Sequence, residues 1–386
     1  MRPVGRILRA TLVLVGLFVF TANTAWATAF LQTNLVSDIP GLAAITDPNL
    51  KNPWGISASA TSPFWVSDQG ANLATLYAVT AAGVSKNALQ VTIPTTASGP
   101  QGPTGQVNNN TSSFVVNGAP ANFIFANLNG TISAWNSSLG TTAQVQATTA
   151  GAAYTGLAIG SNASGPLLYA ANGAQNRIDV FNGSFTPVNL GANAFRDSDP
   201  RLTGLVPFNV QNIGGNIYVT YAPPGRAAQI SAPEGVGAVA IFDTSGNLIQ
   251  TLIADSKLAS PWGIALAPAS FGEFGGDLLV GNFSFAVSEI NAFDPVTGAF
   301  RGTIRNASGD PIINSGLWSL KFGNAGNNGD PNTLFFTAGI NGEADGLFGS
   351  LRPVPEPATL FLLGVGMLSV CGLRWRRAAR LRTRAR

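Results

Sequence analysis

Short hydrophobic runs separated by Gly, Asn, Ser, Asp and Pro fill the middle of the chain. They have the length of β-strands and lack the three-to-four-residue spacing of amphipathic helices, so they predict strands joined by tight turns. The clearest examples are at 55–59, 64–67, 75–79 and 89–93, and again at 264–266, 278–281, 290–293 and 300–304. This pattern predicts an all-β fold.

One phrase recurs within these strands. The sequence Pro-Trp-Gly-Ile at 53–56 returns at 261–264, with weaker copies between and after them. Spacings of 50, 51, 53, 54 and 56 residues separate the six equivalent positions, which are Trp54, Thr104, Thr155, Phe208, Trp262 and Trp318. A period of this length indicates a repeat fold with one strand-rich unit per copy.

The third strand of several units ends in an aromatic residue followed by Asn or Asp, a turn and a glycine. An Asn or Asp side chain caps a tight turn, and glycine accepts a positive φ. The pattern therefore predicts hairpins after 135, 181, 242 and 293.

The sixth unit supplies only three strands, at 317–322, 334–337 and 347–350. The N-terminal run at 30–35 resembles 248–253, the outer strand before the second Pro-Trp-Gly-Ile. We therefore predict a six-bladed β-propeller over 28–352, in which the N-terminal strand completes the last blade and removes its exposed edge. The pattern is similar to bacterial NHL-type propellers, and the repeated phrase resembles an uncharacterised family of exported propellers.

The positions of the charged residues along the chain bear on which partners the protein could bind. The isoelectric point is near 9.2, but three arginines lie before residue 10 and seven lie after 373. Between them, 11 basic residues face 17 acidic ones if Glu356 is set aside. A nucleic-acid partner is therefore not expected, because the body carries a net negative charge.

The first 27 residues have the parts of a secretory signal peptide. A basic start at Arg2, Arg6 and Arg9 precedes an apolar stretch and a small-residue site ending at Ala27. Cleavage before Thr28 is the expected outcome. The alternative, a retained membrane anchor, requires an apolar run longer than this one.

The last segment, 353–386, has three parts. Pro355, Glu356 and Pro357 precede an uncharged stretch at 358–373, and an arginine-rich tail follows at 374–386. An apolar helix followed by dense positive charge stops in the membrane with that charge in the cytoplasm. The sequence thus predicts a short transmembrane helix with the body on the opposite side.

This arrangement resembles the PEP-CTERM sorting signal of Gram-negative bacteria. In that family a membrane protease, the exosortase, recognises the Pro-Glu-Pro motif. The resemblance implies exosortase processing near Pro355, Glu356 and Pro357, and transient anchoring in the inner membrane through 358–373. It also implies a final position at the cell surface or in an extracellular biofilm matrix, with exopolysaccharide as a candidate partner.

Chemistry is constrained by what the chain lacks. It contains no histidine, and Cys371 is its single cysteine. A Ser-His-Asp triad and a histidine zinc site are therefore excluded.

Polar residues end the second strands of the predicted units, on the face where the first strands begin. They are Asp68, Asn127, Asn172, Tyr221 and Asn282. Carboxylate and amide oxygens suit Ca²⁺, so Asp68, Asn127, Asn172 and Asn282 form a candidate calcium site. The same groups suit sugar hydroxyls, and Asn is also common wherever strands turn.

Two functions remain open from the sequence. The first is a non-catalytic surface or matrix protein whose propeller binds a carbohydrate or a protein partner. Trp54, Trp262 and Trp318 would either stack against sugars or pack in the core. The second is a calcium-dependent lactonase or esterase-like hydrolase that resembles lactonase propellers, in which the metal polarises a carbonyl. The lack of a Glu at a matching strand end weakens the second.

Overall fold

The computed structural model describes residues 29–95, 101–254 and 257–354. The predicted signal peptide and the sorting signal from Pro355 onward lie outside these residues. The described chain folds into six main sheets, each starting with a strand at the centre of the molecule, and one small two-stranded sheet. Strands in the main sheets pair antiparallel, except for one short parallel pair. The prediction of an all-β six-bladed propeller is confirmed.

The chain begins with two strands that belong to the last blade, β1 (Phe30–Ser37) and β2 (Ile45–Thr46). Blade 1 contains β3 (Pro53–Ser57), β4 (Phe64–Asp68), β5 (Leu73–Thr80) and β6 (Gly83–Thr92). Blade 2 contains β7 (Pro103–Asn108), β10 (Phe123–Asn127), β11 (Thr131–Trp135) and β12 (Gln144–Thr148), with a small hairpin of β8 (Val115–Val116) and β9 (Ala119–Pro120) inserted after its first strand.

Blade 3 contains β13 (Tyr154–Asn162), β14 (Gly165–Asn172), β15 (Arg177–Asn182) and β16 (Pro187–Val188). Blade 4 contains β17 (Val206–Ile213), β18 (Asn216–Ala222), β19 (Ala238–Phe242) and β20 (Leu248–Ala254). Blade 5 contains β21 (Pro261–Leu266), β22 (Leu278–Asn282), β23 (Ile290–Phe293) and β24 (Phe300–Thr303). Blade 6 contains β25 (Leu317–Phe322), β26 (Leu334–Ala338) and β27 (Leu347–Pro353), completed by β1.

Helical structure in the described residues is confined to single turns. One α-helical turn, α1 (Arg226–Ile230), lies in the connection between β18 and β19. The 3₁₀ turns are Gln69–Ala71, Ser137–Leu139, Pro200–Leu202 and Gly272–Phe274. The described residues contain no helical segment with the length and hydrophobicity of a membrane span. The predicted membrane helix at 358–373 is outside them.

The ring is closed between the two ends of the body. Strand β1 pairs antiparallel with β27, from Phe30 opposite Pro353 to Ser37 opposite Leu347. The N–H of Val354 also donates to the carbonyl of Ala29 at 2.8 Å. As predicted, the N-terminal strand covers what would otherwise be the open edge of blade 6.

The glycine of the repeated phrase is explained by how closely the inner strands approach one another. A Cβ added at Gly55 would lie 2.5 Å from the carbonyl oxygen of Thr104, in the next blade. At Gly263 it would lie 2.3 Å from the carbonyl oxygen of Trp318. Each glycine therefore lets its strand pack directly on the innermost strand of the following blade.

Hydrophobic side chains from adjacent blades interlock to form the core. One cluster joins Tyr169 of blade 3 to Val219 and Phe242 of blade 4, all fully buried. Burying one such side chain stabilises the fold by about 1.5–3 kcal/mol. The core is thus a set of inter-blade layers around the central channel.

The hairpin turns follow the predicted pattern. Asp243 Oδ1 accepts hydrogen bonds from the N–H groups of Ser245 and Asn247, at 2.8 and 2.9 Å. Gly246 has a φ of 84°. One outer strand, β16, is shorter than the predicted run at 185–190, because Phe185 has a turn conformation and Pro187 cannot donate to the ladder.

Candidate functional site

A cavity of about 570 Å³ opens at the end of the channel where the innermost strands begin. Its walls come from the starts of β3, β13 and β17, from turns after second strands, and from α1. The residues around it are Asn52, Trp54, Gln69, Leu128, Ala153, Thr155, Gly173, Ala174, Val206, Gly225, Arg226, Gln229 and Glu343. We call this the mouth cavity.

Aromatic rings fill the channel below the mouth cavity. Trp54 and Trp318 stack with their ring centroids 3.5 Å apart, and Phe283 stacks on Trp318 at 4.2 Å. Trp262 meets Trp318 edge-on at 5.7 Å. All three tryptophans are at least 96% buried. They pack against one another across the channel, so the core-packing interpretation holds for them in this structure.

Arg226 lies on top of these rings. The insertion between β18 and β19 carries it, and its guanidinium carbon lies 4.0 Å from the Phe283 centroid and 4.7 Å from that of Trp318. Such cation–π contacts stabilise by about 0.5–2 kcal/mol. Burial lowers the pKa of Arg226, an effect opposed by Glu343.

Glu343, from the loop between β26 and β27, pairs with Arg226. The Nε of Arg226 donates to Oε2 of Glu343 at 2.8 Å, and its Nη2 donates to Oε1. A two-point pair of this kind fixes the guanidinium in one plane. The pair therefore joins the blade 4 insertion to blade 6 across the mouth cavity.

Asn52 connects this ion pair to the aromatic rings. Its Nδ2 donates to Glu343 Oε1 at 3.0 Å and to Gln69 Oε1 at 2.8 Å, and its Oδ1 accepts from Trp318 Nε1 at 3.0 Å. Asn52 has a φ of 44°, a conformation that Asn tolerates better than most residues. The rim of the mouth cavity is thus a linked set of amide and charged groups.

The three tryptophan N–H groups are not equivalent. Trp262 donates to the carbonyl of Thr155 at 2.8 Å, and Trp318 donates to Asn52. Trp54 also lines the mouth cavity, but its buried Nε1 has no hydrogen-bond partner in the described part of the chain. A buried donor without a partner is costly, so among the three tryptophans Trp54 is the one whose N–H group the packing leaves unsatisfied within the described residues.

The five predicted ring residues occupy equivalent places. Each is directly opposite the first residue of its innermost strand or its equivalent, in the pairs Pro53–Asp68, Pro103–Asn127, Tyr154–Asn172, Pro207–Tyr221 and Pro261–Asn282. All five are buried. None of them is among the residues that line the mouth cavity; in three blades the next residue lines it instead, as Gln69, Leu128 and Gly173.

The side chains of Asp68, Asn127, Asn172 and Asn282 hydrogen-bond to nearby residues, whereas the buried hydroxyl of Tyr221 has no partner among the described residues. Asp68 Oδ2 accepts from Thr75 Oγ1 at 2.7 Å, and Asn282 Oδ1 accepts from the N–H of Ala259 at 2.9 Å. Burial, above all, raises the pKa of Asp68 well above its usual range. The described residues hold no group of three or more His, Cys, Asp or Glu side chains suited to a metal. Calcium binding by Asp68, Asn127, Asn172 and Asn282 stays a prediction.

Sequence reasoning did not identify the residues of the rim, which are Asn52, Gln69, Arg226, Gln229 and Glu343. One signal for Arg226 was present in the sequence: it stands in the long insertion at 222–236, which interrupts the regular blade pattern. The sorting residues Pro355, Glu356 and Pro357 lie outside the described residues.

Comparison with known protein families indicates where the protein is sorted. Residues 353–378 match the PEP-CTERM protein-sorting motif. This motif implies export through membrane sorting to the cell surface of a Gram-negative bacterium, and it is consistent with exosortase processing.

Similar proteins cover most of the chain. Uncharacterized protein R648 of Acanthamoeba polyphaga mimivirus is 32% identical over 344 residues, which is 86% of this chain and 81% of that protein. A streptogramin B lyase structure aligns with 11% identity over 84% of this chain and 97% of the other, with a TM-score of 0.48. A gluconolactonase from Xanthomonas campestris aligns with 16% identity over 60% and 82%, with a TM-score of 0.37.

Proposed function

We propose that this chain is an exported, non-catalytic carbohydrate-binding protein. It belongs to the same protein family as uncharacterized protein R648 of Acanthamoeba polyphaga mimivirus. In this proposal the exosortase processes it at Pro355, Glu356 and Pro357, and the propeller then resides at the cell surface or in the matrix. Exopolysaccharide is the proposed partner. The sorting motif supports export to the cell surface, and the mouth cavity supports the binding role.

The chemistry of the mouth cavity carries the proposal. Trp54, Leu128 and Val206 give the cavity apolar surface, while its rim presents amide and charged groups from Asn52, Gln69, Arg226 and Glu343. Sugars have apolar C–H faces and many hydroxyl groups, so they require both kinds of surface in one pocket.

Calorimetric titration of the purified full chain with oligosaccharides from bacterial exopolysaccharides tests this proposal. Gln69→Ala removes a rim amide and is expected to weaken binding at least tenfold. Trp54→Phe keeps an aromatic ring but removes the N–H group, and we expect a smaller loss. Gln146→Ala, an amide on the outer strand β12, is the matched control.

Two results would contradict the proposal. One is the absence of binding to every neutral or acidic oligosaccharide tested. The other is binding that Gln69→Ala and Gln146→Ala reduce equally, because the ligand would then contact some surface other than the mouth cavity.

A further inference from the structure

A second cavity, of about 300 Å³, lies at the opposite end of the channel. Its walls come from the far ends of the innermost strands of blades 1, 2, 3, 4 and 6. The residues around it are Ile56, Ser57, Ala58, Gln106, Val107, Asn108, Asn110, Leu157, Ala158, Ile159, Gln211, Asn212 and Lys321. We call it the base cavity.

Lys321 is the charged residue of the base cavity. It is on the innermost strand β25 and is partly buried, and burial lowers the pKa of its ammonium group. Across the described residues, its Nζ makes no hydrogen bond and no ion pair. No Asp or Glu lines the cavity. An ammonium group removed from water without a counter-charge destabilises a fold, so such groups are normally paired.

Most of the neighbouring amides are already engaged. Gln106 Nε2 donates to the carbonyls of Gly55 and Trp65 at 2.8 and 3.0 Å. Asn212 Nδ2 donates to the carbonyl of Ile159 at 2.8 Å. In contrast, the side chain of Gln211 makes no hydrogen bond to any described residue. Lys321 and Gln211 therefore supply free donors, whereas Gln106 and Asn212 hold the walls of the cavity in place.

We propose that the base cavity is a binding site for the carboxylate group of a small organic acid or an acidic sugar, held by Lys321 and Gln211. A carboxylate supplies the missing negative charge and accepts hydrogen bonds from both donors. Charge-assisted bonds of this kind are about twice as strong as neutral ones. A neutral sugar would leave the ammonium group unpaired, so the site discriminates by charge.

The proposal is independent of the one made for the mouth cavity. The two cavities lie at opposite ends of the channel and share no lining residue. Gln69→Ala, which alters only the mouth cavity, should leave binding at the base cavity unchanged. An experiment that contradicts one proposal therefore leaves the other unaffected.

Calorimetric titration of the full chain with sodium glucuronate, sodium acetate and glucose tests the base cavity. We expect glucuronate to bind and glucose to bind at least tenfold more weakly. Lys321→Met keeps the length of the side chain and should weaken glucuronate binding at least tenfold, whereas Lys321→Arg should retain most of it. Acetate binding as tight as that of glucuronate would show that the carboxylate alone is recognised, and weaker acetate binding would show that the sugar ring contributes.

A second measurement keeps the test decisive if one variant folds poorly. Gln211→Leu should also weaken glucuronate binding, and bound glucuronate should protect Lys321 from acetylation as followed by mass spectrometry. The proposal is overturned if glucuronate and glucose bind equally, or if Lys321→Met and Gln211→Leu both bind glucuronate as the natural chain does.

Discussion

The guanidinium of Arg226 is held between the carboxylate of Glu343 and the face of Phe283, with its central carbon 4.0 Å from the ring centroid. Two elements far apart in sequence, the blade 4 insertion and the last loop of blade 6, meet in this contact. The side chains of Arg226 and Glu343 are 32% and 15% exposed. The pair is therefore buried enough that the loss of one partner should lower the stability of the fold.

Glu343→Gln is expected to destabilise the protein by about 2 kcal/mol, because it leaves a largely desolvated arginine without its counter-charge. Arg226→Met should cost less, since Glu343 keeps its hydrogen bond from Asn52. Thermal unfolding of both variants measures the difference. Glu234→Gln breaks the pair with Lys257 and should change stability far less, because both of these side chains are exposed to solvent. Equal effects of Glu343→Gln and Glu234→Gln would contradict the structure at the mouth cavity.

Gly263→Ala is expected to destabilise by about 1–3 kcal/mol, since the added methyl group meets the backbone of Trp318. Gly173→Ala serves as the control because its nearest contact, the carbonyl oxygen of Pro207, is 3.2 Å away. Urea denaturation of both variants gives the comparison. If the two substitutions cost the same, close approach of the inner strands is not the reason for the glycine in the phrase.

Asp68 makes stability depend on pH in a definite direction. Its folded-state pKa is raised by burial, so the folded chain holds this proton more tightly than the unfolded chain. Stability should then fall as the pH rises from about 4 through the folded-state value. Asp68→Asn removes that slope, and urea midpoints between pH 4 and pH 9 should show a flatter profile.

Asp199 is the control with the opposite sign. Its pKa is lowered to about 2, chiefly by the hydrogen bond from Arg201. Stability from this group is present above about pH 4 and lost as the pH falls toward 2. A profile above pH 4 that Asp68→Asn leaves unchanged would show that Asp68 titrates alike in both states.

Replacement of Glu356 by Ala should block processing in the producing cell. The expected result is an unprocessed chain that stays in the inner-membrane fraction, detected by its larger mass and by fractionation. Glu234→Ala, a change on the propeller surface, should be processed normally. Release of the Glu356→Ala chain at the normal rate would mean that this glutamate is not read by the sorting enzyme.

The architecture could be predicted because its causes are local and repeated. Strand length, the Pro-Trp-Gly-Ile phrase and the turn chemistry of residues such as Asp243 are each visible in a short window of sequence. The closing role of β1 followed from a count of strands in blade 6. Its register with β27 did not, since the bulge near Asn34 depends on the partner strand.

The rim of the mouth cavity could not be predicted in the same way. Arg226, Glu343 and Asn52 come together only when the blade 4 insertion folds back over the channel, and nothing local in the sequence sets that path. Strand ends such as Asp68 were a natural choice for a site. Asp68 is the last residue of β4 and bonds to Thr75, while Gln69, the first residue of the turn that follows, lies at the cavity instead.

The pairing of β1 with β27 has a mechanical consequence. A tether attached after Val354 would pull on β27, which is hydrogen-bonded to β26 on one side and to β1 on the other. Pulling β27 out requires both ladders to break, whereas an edge strand would be lost by breaking one. A pull at this end of the body would therefore act on an interior strand, which resists removal more than an edge strand does.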